Sequence, residues 1–359
     1  MAVAPCLLHV FSTFAVGGAQ RRFAALTAAL GTRYRHLITA LDGNYACLSH
    51  LATGLDMRCE PIEMAKGATL GNVSRFRRRL REISPDALAT YNWGSIEWAM
   101  ANIPRLAPHM HVEDGFGPEE RQRQLPRRVL TRRLVLARST VVVPSRTLQR
   151  IATETWRLDP RRVHYVPNGV DLERFAAIPT AHAGLVIGTV AALRGEKNLA
   201  RLMRAFRRVL DVVPVQLVIA GDGPERPSLE QLGAELRVTE HVRFIGHLDD
   251  PAPLYRELDM FVLSSDTEQM PLSVIEAMAS GLPIAATAVG DVAAMVSRAN
   301  QPFLAALDDA PLAEAIIALA RDAGVRAQIG AANRAKAVAE FGADAMVAAW
   351  QRLFDDVVA

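Results

Sequence analysis

The sequence predicts an α/β protein made of two domains, each a doubly wound parallel sheet. Three observations carry this prediction. Short apolar runs alternate with stretches of helical period through both halves, the order that gives parallel strands covered by helices on both faces. The 359 residues suffice for two domains of about 100–200 residues. Half of the residues are apolar, enough to fill two ordinary cores.

In the first half, residues 6–14 read as an apolar strand and 21–30 as a helix stopped by Gly31. Further strands are expected at 36–41, 87–91, 110–113 and 140–144. In the second half, strands are expected at 185–191, 215–220, 242–245, 259–263 and 283–287. Helices fall around 198–210, 227–236, 251–257, 271–280, 311–321 and 325–339. The softest connection, Ala176-Ala-Ile-Pro-Thr-Ala-His-Ala-Gly184, separates a first domain at 1–178 from a second at 185–339. Ligand is expected between them, at the carboxyl ends of the strands.

Composition narrows the function. No apolar run approaches the ~20 residues that cross a bilayer. The first residues lack a basic region before their apolar stretch, which argues against a signal peptide. Cys6, Cys47 and Cys59 are few and lack metal-ligand spacing, which fits a reducing cytoplasm and predicts no metal site. The net charge of +3 conceals an asymmetry: residues 1–180 hold 25 Lys+Arg and 15 Asp+Glu, a net +10, and the remainder carries −7.

Two clusters hold much of the positive charge. One is Arg75-Phe-Arg-Arg-Arg-Leu-Arg81. The other runs from Arg121 through Arg123, Arg127, Arg128, Arg132 and Arg133 to Arg138, with Leu125, Val129, Leu130, Leu134, Val135 and Leu136 interleaved. The second reads as a basic amphipathic helix. Its face of Arg127, Arg128, Arg132 and Arg133 suits anionic lipid headgroups, a phosphate-bearing acceptor, or plain solvent. Nucleic acid is not expected as a partner, because no aromatics are spaced for base stacking.

Glu268 and Glu276 carry the most functional information. The run Asp259-Met-Phe-Val-Leu-Ser-Ser265 reads as a buried strand, Pro271 suits a helix start and Gly281 a helix stop. Glu268 therefore lies in the strand-to-helix loop and Glu276 down the helix behind it. Two carboxylates at two depths, beside a helix N-terminus that attracts phosphate, match what a nucleotide sugar requires. One would hold sugar hydroxyls and the other ribose hydroxyls. The alternative is a pair of solvated surface glutamates.

Four further loops fall at strand ends. Ala15-Val-Gly-Gly-Ala-Gln20 lets backbone amides approach a phosphate or sugar, without the spacing of a dinucleotide fingerprint. Leu193-Arg-Gly-Glu-Lys-Asn198 offers Arg194 and Lys197 to a diphosphate, and Lys197 is one of only three lysines in the chain. Gly221-Asp-Gly-Pro-Glu-Arg226 is a tight turn with Arg226 available for a phosphate. Val166-Pro-Asn-Gly-Val-Asp171 contains a turn dipeptide of structural character.

In this order and at these intervals, the pieces resemble the retaining glycosyltransferases of family four: Gly17-Gly18-Ala19, Pro167-Asn168-Gly169-Val170-Asp171, Arg194…Lys197-Asn198, Gly221-Asp222-Gly223 and Glu268-x7-Glu276. The resemblance implies a GT-B fold, two Rossmann-like domains facing across a cleft, with acceptor bound by the first and nucleotide sugar by the second. It implies that a last helix within 340–359 crosses back to the first domain. Arg194 and Lys197 would hold the diphosphate, Glu268 the sugar and Glu276 the ribose. Gly17, Gly18, Gly221, Gly223, Gln269, Met270, Pro271 and Leu272 would complete the donor site. Transfer would proceed with retention and without metal or cofactor, from a nucleoside-diphosphate sugar to a lipid-linked or polysaccharide acceptor. The setting would be the cytoplasm, at the inner face of the membrane.

Two departures from the family pattern bear on the site. Where members carry a histidine after a mid-domain strand, this chain reads His109-Met-His-Val-Glu-Asp-Gly-Phe-Gly117, and Asp114 takes the slot with a catalytic or orienting role. Gln269-Met270 replaces the glycine and aromatic that often follow the first glutamate. A non-catalytic nucleotide-sugar-binding partner subunit is the alternative function, and hydrolysis or epimerisation of the nucleotide sugar an enzymatic rival.

Overall fold

The computed structural model describes residues 4–62, 64–65, 67–120, 123–176 and 184–359. The soft connection expected at 176–184 lies, except for its two ends, outside the described residues, as does Arg121. The chain forms two compact units, one of residues 1–167 with 345–359 and the other of residues 168–344.

The first unit is built on seven strands: β1 (Cys6–Phe11), β2 (Arg35–Ala40), β3 (Met57–Cys59), β4 (Ala87–Tyr91), β5 (His109–Val112), β6 (Thr140–Val143) and β7 (Val163–Tyr165). They are ordered β3-β2-β1-β4-β5-β6-β7, and all pairings are parallel. Every residue of β1 is buried, as expected of a parallel strand covered on both faces. Its side chains alternate between two cores: Leu7 and Phe11 join Phe23, Met110 and Trp350, whereas Leu8 and Val10 join Phe76, Leu88 and Trp98. The last helix, Ala343–Val358, packs Met346, Trp350, Leu353, Phe354 and Val357 into the first of these cores, one face at helical spacing.

The second unit has six strands: β8 (Leu185–Val190), β9 (Val215–Ala220), β10 (Val242–Gly246), β11 (Met260–Leu263), β12 (Ile284–Thr287) and β13 (Leu304–Ala305). Their order is β10-β9-β8-β11-β12-β13, again all parallel. Met260 and Val262 face Leu202, Phe206, Leu312 and Ile316 from the helices Leu199–Leu210 and Asp309–Arg321. Phe261 and Leu263 face Val274, Met278 and Ala337 from the helices Leu272–Ala279 and Ala323–Glu340. The connection reverses direction between β8 and β11, the position where a doubly wound sheet opens a crevice.

The sequence misplaces some elements. The expected strand 6–14 ends at Phe11; Phe14 is buried from a loop, against Phe11 and Phe23. The helix Thr69–Ile83 was masked by its arginines, although Asn72, Phe76 and Leu80 bury one stripe at a four-residue spacing. Short edge strands such as β3 and β7 carry too few residues for a periodicity to show. Among the described residues, no helix is long and apolar enough to cross a membrane.

Candidate functional site

In the second unit the loops leaving β8 and β11 are neighbours, because these strands pair (Ile187 with Met260). After β8 the backbone passes through extended Arg194 and a short turn, Gly195–Lys197, to Asn198. Asn198 takes a left-handed conformation (φ 43°), which asparagine tolerates better than most residues. Its side-chain oxygen accepts from the Arg201 N–H at 3.1 Å and caps the helix Leu199–Leu210. Lys197 is thereby fixed at a helix start, and its Nζ donates to Glu268 Oε1 at 2.6 Å. The Ser265 hydroxyl donates to the same oxygen at 2.7 Å.

Other bonds lace the two loops together. Asp266 N–H donates to Glu196 O at 2.9 Å and the Ser264 hydroxyl to Lys197 O at 3.0 Å. Buried Arg201 lies 2.8 Å from the Asp266 carboxylate and donates to Ser264 O at 2.8 Å, while Asn198 Nδ2 donates to Asp266 Oδ1 at 3.0 Å. Arg194 is exposed and makes no ion pair among the described residues.

Glycines allow neighbouring loops to close on this pair. Gly221 has φ 134°, and a Cβ there would lie 1.8 Å from Ala191 O. Gly290 has φ 54°, and its Cβ would lie 2.1 Å from Glu268 O. Any side chain at either position would push apart the backbone that carries Lys197 or Glu268. Gly223 packs likewise on Leu193 O. Arg226, expected to point at a phosphate, instead donates to Glu230 at 2.9 Å, one turn along its own helix.

Behind the loop, Gln269 is half-buried, while Met270 and Pro271 are buried. Asn168 Nδ2 donates to Met270 O at 2.9 Å, so the Pro-Asn-Gly motif anchors the segment entering the helix Leu272–Ala279. Glu276 sits in the second turn of that helix, half-buried. The phenol of buried Tyr255 lies 2.8 Å from Glu276 Oε2. Burial, and secondarily the Glu276 carboxylate, holds this phenol well above its ordinary pKa, so it remains a donor. Neither Ser265 nor Tyr255 was singled out from sequence. A hydroxyl at the last residue of a Ser-Ser strand end was the only available signal.

In the first unit, Gly17 precedes the helix Gly18–Leu30 and accepts from the Arg21 N–H at 2.8 Å. Asp114 follows β5, and both its oxygens accept from Arg22, at 2.6 and 2.9 Å. Arg22 is buried and stacks over Trp350 at 5.5 Å. The Asp114 N–H donates to Asn92 Oδ1 at 2.7 Å. His111 is a buried strand residue, its Nδ1 2.8 Å from the Thr90 hydroxyl, which also lies 2.9 Å from His109 Nε2. His109 is pushed down to about 3 by burial and then by His111 and Arg105.

The basic helix exists as Pro126–Val135, but two of its four expected surface arginines point inward. Arg132 is wholly buried: it donates to Glu120 at 2.9 and 3.1 Å, and its guanidinium lies 4.9 Å from the Trp93 and Trp156 rings and 5.2 Å from Phe116. Arg128 donates to Glu119 at 2.6 Å and to Glu120 at 3.3 Å, and stacks over Trp93 at 4.8 Å. A planar, weakly hydrated guanidinium suits such a cage of rings and carboxylates. Arg128 and Arg132 therefore belong to the interior. Arg127 and Arg133 stay exposed, beside exposed Leu130 and Leu134.

Comparison with known proteins follows the same division. Residues 16–174 match the family described as Glycosyltransferase Family 4, and residues 184–322 that described as Glycosyl transferases group 1. The chain is 31% identical over 235 residues to a putative glycosyltransferase, EpsF, of Bacillus subtilis, covering 59% of this chain and 60% of that one. It is 25% identical over 219 residues to N-acetyl-alpha-D-glucosaminyl L-malate synthase of Bacillus anthracis, covering 61% and 56%. The alignments thus span somewhat over half the length of these relatives. Anabaena Alr3699/HepE, solved in complex with UDP-glucose, is similar in fold: TM-score 0.80 at 18% identity, over 98% of this chain and 100% of that one.

Proposed function

Since the chain belongs to the glycosyltransferases, family 4 in its first half and group 1 in its second, we propose that it transfers a sugar from a nucleoside diphosphate to a lipid-linked or polysaccharide acceptor. The unit of residues 168–344 would bind the donor. One observation carries this reading: at the ends of β8 and β11, Lys197 and Glu268 meet at 2.6 Å with exposed Arg194 on the same loop. Arg194 and Lys197 bring two positive charges to a diphosphate, where they neutralise the leaving group as its charge develops. With two cations in place, no divalent metal and no cofactor is required. Glu268 accepts from sugar hydroxyls and Glu276 from ribose hydroxyls, with Gly221, Gly223, Gln269, Pro271 and Leu272 completing the walls. Met270 acts through its backbone, because its side chain is buried.

Transfer proceeds with retention. Acceptor binds to the unit of residues 1–167, where Asp114, held by Arg22, orients an acceptor hydroxyl. The outward face of the helix Pro126–Val135, with Arg127, Leu130, Arg133 and Leu134, rests on an anionic membrane surface at the cytoplasmic side. The HepE complex with UDP-glucose supports the donor class.

The test is a thermal-shift panel of nucleoside diphosphates and their sugars on wild type and Glu276→Ala. Stabilisation of wild type alone names the base. Transfer by EDTA-treated protein, with the product's anomeric configuration read by NMR, then checks metal independence and retention. Silence across the panel would overturn the donor-site reading, and binding without transfer would leave the partner-subunit function in its place.

A further inference from the structure

Glu268 is held asymmetrically. Lys197 Nζ and the Ser265 hydroxyl both donate to Oε1, at 2.6 and 2.7 Å, and Oε2 has no hydrogen-bond partner among the described residues. The two donors differ in permanence. Lys197 is a flexible side chain, one-quarter exposed, whose charge any anion in the site would attract. Ser265 is 1% exposed, and its backbone is pinned because its carbonyl accepts from the Thr287 hydroxyl at 2.6 Å. Its hydroxyl cannot leave without moving the strand end.

We infer that Ser265 is the positioning residue of this site: it keeps the Glu268 carboxylate oriented, with Oε2 outward, when an anion draws Lys197 away. This rests on the reading of the site as one for a nucleoside-diphosphate sugar. The ammonium then serves two partners in turn, the carboxylate in the empty site and the diphosphate in the occupied one. A carboxylate held by Lys197 alone would lose its orientation at the moment the sugar arrives. Ser265 matters for the sugar, through Glu268, and not for the nucleotide.

The experiment compares nucleotide with nucleotide sugar. Dissociation constants of UDP, GDP, UDP-glucose, UDP-galactose, UDP-N-acetylglucosamine and GDP-mannose are measured by calorimetry on wild type, Ser265→Ala, Ser265→Thr, Glu268→Ala and the double variant Ser265→Ala/Glu268→Ala. For the sugar that wild type prefers, Ser265→Ala is expected to weaken binding about tenfold, the effect of losing one hydrogen bond to a charged group. Its affinity for the bare diphosphate stays within about twofold, and Ser265→Thr restores sugar binding because it keeps the hydroxyl. The double variant is no weaker than Glu268→Ala, since Ser265 acts through that residue.

Equal losses for diphosphate and sugar in Ser265→Ala would show a merely structural role and overturn the inference. So would undiminished sugar binding in that variant, or additive losses in the double variant. If wild type binds none of the six, the donor-site reading falls and the inference with it, an outcome distinct from the others.

Discussion

The two units share a strand order but handle charge in opposite ways. The first buries it: His9, His36, His109, His111, Glu113, Glu120, Arg22 and Arg132 all lie inside. The second keeps an apolar interior, with Arg201 and Asp291 as the buried charged residues among those described, and carries exposed Arg194 and half-buried Lys197 and Glu268 on loops at its strand ends. A buried charge network costs desolvation that partnering offsets only in part, and here both oxygens of buried Glu113 lack a hydrogen bond among the described residues, so the network fixes geometry more than it adds stability. A rim of charge on an apolar core can change partners at little cost. The first arrangement suits a rigid platform, the second a site that exchanges Glu268 for a ligand on Lys197.

The largest effect that tests this contrast lies at Arg132. Arg132→Met is expected to destabilise the first unit by about 3–5 kcal/mol, because buried Glu113 would lose its arginine and buried Glu120 would keep Arg128 alone. Arg133→Ala, one position along the helix but exposed, is expected to stay within about 0.5 kcal/mol. All four tryptophans belong to the first unit, so their fluorescence during urea unfolding reports on it alone. Equal costs at the two positions would break the contrast.

The next effect is on turnover, in the second unit. Lys197→Ala is expected to lower transfer by about 100-fold or more, as for a removed charge-stabilising group, while changing the urea midpoint little. Initial rates with saturating acceptor measure it. Near-normal transfer would remove Lys197 from the chemistry and leave it a partner of Glu268 only.

Acid separates the units again. Burial holds His36 down to about 4 and His9 well below its ordinary value, the latter also because of His36. A histidine whose pKa is lower in the folded state lends stability that is complete above its unfolded value, about 6.5, and is lost as pH falls through the window down to about 4. His36 alone accounts for up to about 3 kcal/mol of loss at the lower end. Tryptophan fluorescence should therefore report weakening of the first unit between pH 6.5 and 4, and His36→Gln should show a shallower slope. A slope unchanged in that variant would assign the acid loss to other groups.

The contrast also explains which parts were legible in the sequence. In the second unit the motif residues are constrained by backbone: Gly221 because no Cβ fits, Asn198 because it is left-handed, Pro271 because a helix starts there. Such constraints are local, so a run of residues displays them. In the first unit the partners of Arg132 are Glu113, Glu120, Trp93 and Trp156, drawn from separate elements. Nothing near Arg132 in the chain distinguishes it from Arg133, and a charge pattern read as a surface concealed half a core. Asp114 was singled out by position, whereas its partner Arg22, 92 residues away, was not. Ser265 escaped for a different reason: its role depends on the direction of one hydroxyl at a strand end.

The smallest effect concerns what remains of the basic face. With Arg128 and Arg132 inside, the outward surface of the helix Pro126–Val135 carries Arg127, Leu130, Arg133 and Leu134. Each exposed arginine near an anionic bilayer contributes about 1 kcal/mol, and each leucine adds contact with the acyl boundary. Arg127→Ala should thus weaken binding to phosphatidylglycerol vesicles about fivefold, and raised salt should weaken wild type further, because exposed charges are screened within about 10 Å at 0.1 M. Leu134→Ala should weaken binding at every salt concentration, which a purely electrostatic adhesion would not do. Flotation of the vesicles measures both. Arg128→Ala separates membrane from fold: it should lower stability through Glu119 and Glu120 and leave vesicle binding of the folded protein unchanged. If Arg128→Ala instead lowers vesicle binding as much as Arg127→Ala does, the inward arginines reach the lipid after all, and the platform is less rigid than its buried charges imply.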